Sequence, residues 1–278
     1  MKSAIKVAFV NTKGGTTKTT SIVNIAAAAA RAGVRTLLID FDIQGEATRL
    51  TGLERRDDLD LDEHSSWLLV DDLARKSRRL IDLPLETPFG FDLIPSSGQL
   101  ANADNSLANN QFGDNALLEL LDENQDLLSA YDLILCDTQG APTRLVKAVL
   151  IMCGEYIIPS VPKKGAVSQL EKVISLVGGI RKVSVELRAH FWGCARTNTN
   201  IFKEYEQAAQ ELFGELHFSD FTIPDLTVME EAAEQDKPII GIDTATMAYH
   251  NRKNLERLSE RYTELFYAIF PELVGVKK

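Results

Sequence analysis

The chain has 278 residues, of which 45% are hydrophobic and 25% charged, and a formal net charge of −10 at pH 7. That much apolar material can bury a sizeable core as one large α/β domain, residues 1–278, with no need of a second. No apolar run reaches the roughly 18 residues of a membrane helix, and MKSAIKVAFVN turns polar too early for a signal peptide, so a cytoplasmic protein is expected and not a transmembrane or secreted one.

The first predicted element is a strand, IKVAFVN (5–11), followed by NTKGGTTKTT (11–20) and an alanine-rich helix at 18–32 with Gly33 as its C′ residue. A loop between strand and helix aims backbone N–H groups and the positive end of the helix dipole at one spot, which suits a phosphate. Gly14, Gly15, Thr16, Thr17 and Thr20 supply backbone there, Lys18 a mobile positive charge, and Thr19 a hydroxyl able to ligate Mg²⁺. The strict pattern G-x-x-x-x-G-K-[ST] is not met, because Thr12 and Thr17 stand where its glycines would be. If the loop needs positive φ at Thr17, a β-branched residue there costs on the order of 1 to 2 kcal/mol. A Gly-Gly turn before an ordinary helix is the alternative without chemistry.

A second strand, RTLLID (35–40), runs into DFDIQGEATRL (40–50), where Asp40 and Asp42 are either carboxylates near a phosphate or members of a plain acidic turn. Residues 54–88 begin with the charged ERRDDLDLDEH and read as a surface excursion outside the sheet, and 101–115 as partly ordered loop, so that 54–115 differs from the rest. Later strands are expected at 91–96, 131–137, 155–161, 190–196 and 217–223, and helices at 114–129, 165–182, 201–213, 227–235 and 246–269. This alternation is the pattern of βαβ units: an α/β fold with a doubly wound, mostly parallel sheet and helices on both faces.

YDLILCD (131–137) is an apolar strand ending in Asp137, a carboxylate suited to holding Mg²⁺ through water. The carboxyl ends of such strands converge on one crevice. Cys136, Cys153 and Cys194 are widely spaced in apolar surroundings and read as core thiols. Between Arg144 and Lys203 ten basic residues face three acidic ones, a net +7 against −17 for the rest, so an acidic protein has a local surface able to meet a polyanion. Scatter over unrelated faces is the alternative. In the tail, Leu255, Leu258, Tyr262, Leu265, Phe266 and Ile269 recur at three or four, as in a helix docked on a core, and ELVGVKK after Pro271 is too short for a membrane-binding helix.

The lysine before the glycine pair, Lys13, makes the loop resemble the deviant Walker A motif, K-G-G-x-G-K-[ST]-[ST], of the ParA/MinD family of P-loop ATPases. Asp40, Asp42, Gln44 and Thr48 are similar to that family's D-x-D-P-Q-x-x-x-[ST] motif with Ile43 for proline, and YDLILCD to its Walker B strand with Thr138, Gln139 and Gly140 for the prolines. The segment 222–239 is similar to its I-P…A…P-[IV] region. The resemblance runs from residue 5 to about 240 and is weakest between 54 and 115.

It implies ATP and Mg²⁺ as cofactors, hydrolysis with Lys13, Lys18 and Asp42 as catalytic residues, and a metal region of Thr19, Asp137 and Asp40. Lys13 would reach the other subunit's nucleotide in an ATP-bound homodimer, and Asn198, Pro224 and Asp225 would surround the base. A ParA-like protein without an N-terminal helix-turn-helix would bind DNA nonspecifically, associate with the nucleoid, and answer to a centromere- or cargo-binding adaptor that stimulates hydrolysis. It would serve plasmid or chromosome partition, with no membrane partner. Arg181, Lys182, Arg188 and Arg196 are DNA candidates by charge alone. A positioning scaffold for a protein cargo or organelle is the alternative function. An electron-transfer ATPase is disfavoured because no cysteine pair could hold a cluster, and a ligase because the sequence marks no substrate cleft.

Overall fold

The computed structural model describes residues 4–13, 15, 17–71, 79–180, 184–195, 199–224, 228–229, 235–242, 249–273 and 275. Seven strands form one sheet in the order β3-β4-β2-β5-β1-β6-β7. They are β1 (Ile5–Phe9), β2 (Thr36–Phe41), β3 (Leu85–Glu86), β4 (Asp92–Ile94), β5 (Leu133–Thr138), β6 (Glu155–Ser160) and β7 (Glu186–Trp192). Every pairing is parallel except β3 with β4. The central strands are apolar along their length because helices cover both faces. Val7, Phe9, Leu38, Leu133 and Leu135 belong to the core of one face, and the alternate residues Ala8, Val10, Ile39, Ile134 and Cys136 to the other.

On the first face lie α1 (Lys18–Arg31), the short α2 (Glu46–Leu50) and the tail helix, here α10 (Tyr249–Ile269). The other face carries α3 (Trp67–Val70), α4 (Ala103–Asn109), α5 (Ala116–Glu123), α6 (Gln125–Ala130), α7 (Arg144–Cys153), α8 (Ala166–Gly178) and α9 (Asn200–Phe213). Ala26 to Ala29 are all buried in α1; these small side chains let α1 lie close to both the sheet and α10. The helix closes at Gly33, whose φ of 82° is cheap only for glycine, with Gly33 N–H donating to Ala30 O at 2.9 Å. All six apolar positions expected to dock the tail, Leu255 to Ile269, are buried in α10.

Several expected elements differ. The run 217–223 is not a strand: Ser219–Phe221 forms a 3₁₀ turn, and only isolated bridges join His217 to His190 and Pro224 to Ala195. The helix expected at 114–129 is broken at Asn124, whose side-chain amide donates to Leu120 O at 2.7 Å. The stretch 54–88 is not wholly a surface excursion, since Leu85–Glu86 adds the antiparallel edge strand and Trp67 to Val70 are buried. Within 101–115, Ala103–Asn109 is helix and not loop, and Leu107 is fully buried. Cys136 and Cys153 are buried as expected, whereas Cys194 is half-buried in a left-handed turn with φ of 48°. Of the helix expected at 227–235, only 228–229 and 235 are among the described residues.

Candidate functional site

Three neighbouring strands, β1, β5 and β2, bring the site together at their carboxyl ends. Phe9 stands beside Asp137 in the β1–β5 register, and Asp40 beside Asp137 in the β2–β5 register. Both carboxylates are fully buried. Thr19, on the first turn of α1, donates its hydroxyl to Asp137 Oδ2 at 2.7 Å, tying the loop's helix to the end of β5. Thr138 fixes the same corner by donating Oγ1–H to Phe9 O at 2.7 Å.

Asp40 is held differently. Its Oδ2 accepts from the Thr48 N–H at 2.9 Å and the Thr48 hydroxyl at 2.8 Å, and its Oδ1 from the Asp42 N–H at 3.1 Å. Thr48 in turn accepts from the Ser96 N–H at 2.9 Å. Asp40 is therefore the anchor of the turn that presents Asp42. Asp42 is half-buried and its Oδ1 accepts from the Gln44 N–H at 3.0 Å, an Asx turn that leaves Oδ2 for another donor.

Burial raises the pKa of both buried aspartates. For Asp137 the loss of hydration is the largest cause and the charge of Asp40 adds to it, while Lys18 and the Thr19 hydroxyl oppose it. For Asp40 burial again leads, and its hydrogen bonds from Thr48 oppose it. Two buried carboxylates on adjacent strands, with the Thr19 hydroxyl bonded to one of them, form an oxygen-only set that fits Mg²⁺.

The loop beside them fits an anion. Lys18 is buried at the first position of α1, and the N-cap residue Thr17 makes no side-chain capping bond to the first-turn N–H groups. Asn11 Nδ2 donates to Pro159 O at 2.9 Å and Ser160 Oγ at 3.2 Å, fixing the loop's start to β6, while Asn11 Oδ1 and Thr12 Oγ1 are buried with no hydrogen-bond partner. Thr17, the N-cap residue, has φ of 65° and ψ of 13°, so the positive-φ condition set out from the sequence is met by a threonine. Lys13 and Gly15 are exposed at the rim and Thr20 is half-buried. Gly14 and Thr16 lie outside the described residues.

The other predicted residues divide. Pro224 bridges to Ala195, which sets the chain after β7 beside the chain leading to the 224 region; Asn198 and Asp225 lie outside the described residues. Among the DNA candidates Arg181, Lys182 and Arg196 also lie outside them. Arg188 is a correction: it is paired with Glu155 and with Glu272 (2.7 Å), donates to Ile269 O at 3.0 Å, and stacks over Phe270. With both carboxylates engaged it holds β7 to the end of α10. Of the exposed cations of the same basic segment, Arg144 is paired with Asp114 at 3.0 Å, whereas Lys163, Lys164, Lys172 and Lys203 have no ion-pair partner among the described residues. Sequence reasoning overlooked Gly193, at the end of β7; a Cβ built there would stand 2.2 Å from Thr17 Oγ1. Its only trace in the sequence is a glycine inside the strand expected at 190–196.

Residues 4–189 match the family model described as an AAA domain. The chromosome-partitioning ATPase Soj of Thermus thermophilus is 30% identical over 266 residues, spanning 93% of this chain and 97% of that protein. Among solved structures, the ATP complex of McdA from Cyanothece has a TM-score of 0.77 at 18% identity, over 100% of this chain and 99% of that one. Cobyrinic acid a,c-diamide synthase from Mycobacterium smegmatis, with ADP and magnesium, has a TM-score of 0.73 at 19% identity, over 99% and 97%. At these identities the structural likeness speaks for the fold alone.

Proposed function

The chain belongs to the ParA/MinD-type P-loop ATPases, and from that membership we propose that it is an ATP-dependent switch. It forms a homodimer around Mg·ATP, binds DNA without sequence preference in that state, and serves plasmid or chromosome partition. An adaptor bound to centromere or cargo stimulates its slow hydrolysis. The observation that carries this reading is the joining of Thr19 on α1 to Asp137 on β5 beside Asp40 and Lys18, at the carboxyl ends of three adjacent strands.

The chain's residues divide the work. Backbone N–H groups at the start of α1 and the Lys18 ammonium hold the phosphates, and Thr19 and Asp137 hold the metal. Mg²⁺ when bound offsets phosphate charge. Asp42, presented by the turn that Asp40 anchors, orients the attacking water through its second carboxylate oxygen and accepts its proton. The exposed Lys13 reaches the nucleotide of the other subunit, a role supported by the family resemblance of its loop. Pro224, with Asn198 and Asp225, flanks the base. The Soj relative is named a chromosome-partitioning ATPase, which supports partition over the synthase chemistry hosted by the same fold.

For DNA, Lys163, Lys164, Lys172 and Lys203 take the place that Arg188 cannot fill. A specific observation keeps the scaffold reading alive, because the one DNA candidate described is consumed by an internal ion-pair network. Gel shifts with nonspecific duplex in ATP, ADP and no nucleotide, over a salt series, separate the two. Retardation by ATP alone, steeply weakened by salt and lost in Lys18→Ala, is the partition result. An ATP dimer that ignores DNA even at low salt would leave a positioning scaffold for another cargo.

A further inference from the structure

The Thr17–Gly193 contact is closer than two side chains could tolerate. A Cβ on Gly193 would lie 2.2 Å from Thr17 Oγ1, 3.1 Å from its Cβ and 3.3 Å from its Cγ2. Rotation about χ1 would move the hydroxyl but not the Cβ, so a side chain at 193 would displace the Thr17 backbone. Gly193 has no positive φ to explain it and is fixed by its N–H donating to Ser160 O at 2.7 Å, so close approach is what demands a glycine here. Thr17 in turn is left-handed although β-branched, and its carbonyl accepts the first bond of α1 from the Ser21 N–H at 2.8 Å.

A threonine at a helix N-cap ordinarily sits in the extended region and caps the N2 or N3 N–H with its own hydroxyl. In the left-handed conformation Thr17 makes no such capping bond, and its hydroxyl is turned toward Gly193. We propose that Thr17 and Gly193 are a matched pair: the bare backbone at the end of β7 holds Thr17 left-handed, which keeps the N–H groups of the first turn of α1 open to an anionic ligand and couples the loop to the strand end leading to residues 194–198. Both are positioning residues. The proposal rests on the nucleotide reading of the loop and deepens it: nucleotide affinity depends on the fit of one strand end against one loop residue.

ATP binding by titration calorimetry and the urea midpoint of nucleotide-free protein are measured for wild type, Gly193→Ala, Thr17→Gly and the double variant. The expected result is that Gly193→Ala weakens ATP binding about tenfold or more in the wild-type background and about threefold or less beside Thr17→Gly, with the same non-additivity in the midpoints. Thr17→Ser, which keeps the nearest atom, should respond to Gly193→Ala as wild type does. Equal losses in both backgrounds, or no loss in either, would overturn the pairing. Wild-type protein that binds no ATP would overturn the ATPase reading instead, and the midpoints then decide the pairing by themselves.

Discussion

Asp137 works against the fold that holds it. Its folded pKa is raised by burial and by Asp40 to about 8, so below the unfolded value of 3.8 it costs nothing, and as pH rises from there toward 8 the native state is progressively penalised for keeping the group protonated while the unfolded chain ionises it. Asp137→Asn should therefore raise the melting temperature of nucleotide-free protein at pH 7.5 by about 3 °C or more while abolishing Mg²⁺-dependent ATP hydrolysis. Lower stability together with retained hydrolysis would place the metal elsewhere. His190 has the opposite sign. It is buried against His217 at 2.9 Å, between Trp192 and Phe213, with Glu206 accepting from the far side of His217, and burial then His217 push its pKa well below 6.5. The unfolded chain takes up a proton that the native state refuses, so stability is level above about pH 6.5 and falls as pH drops, by at most about 1.4 kcal/mol per unit. Urea midpoints for wild type should decline between pH 7 and 5.5 more steeply than for His190→Phe. Parallel declines would mean that His190 does not carry the acid sensitivity.

At the scale of elements, residues 235–242 are strapped across the first face. Asp236 pairs with Arg49 on α2 and with Arg55, Arg31 at the end of α1 donates to Ile240 O, and Asn24 accepts from the Ile240 N–H at 3.2 Å. Asp236→Ala should cost on the order of 1 kcal/mol, measurable by urea unfolding, because Arg49 and Arg55 remain partly hydrated without it. Losses of several kcal/mol would show that the strap is part of the core. Which elements could be read from the chain follows from how local their causes are. NTKGGTTKTT and the spacing of Leu255 to Ile269 carry their own geometry, and so the loop and α10 were legible. The aromatic-rich 217–223 resembles a strand, yet its ladder pairing with β7 is the one isolated bridge of His217 to His190, while Phe218 and Phe221 turn against the core. The Thr17–Gly193 fit and the capture of Arg188 by Glu155 and Glu272 join residues distant in sequence, where no local pattern could show them.

For the whole molecule, charge and topology act together. The acidic chain buries the carboxylates Asp40 and Asp137 at the site and exposes Lys163, Lys164, Lys172 and Lys203 on the segments around α8 and α9, where Lys172 and Lys147 share a cavity with Thr12 of the loop. No helix among the described residues is long and apolar enough to cross a membrane, and the apolar face of α10 is spent on α1 and the sheet. In the proposed switch the nucleotide changes the association of two chains. Light scattering on a sizing column tests that directly, with wild type and Lys18→Ala in Mg·ATP, Mg·ADP and no nucleotide. The mass of wild type should double from 30.8 kDa in Mg·ATP alone, and Lys18→Ala should stay at 30.8 kDa throughout. A wild-type mass that is the same in all three conditions would contradict the switch.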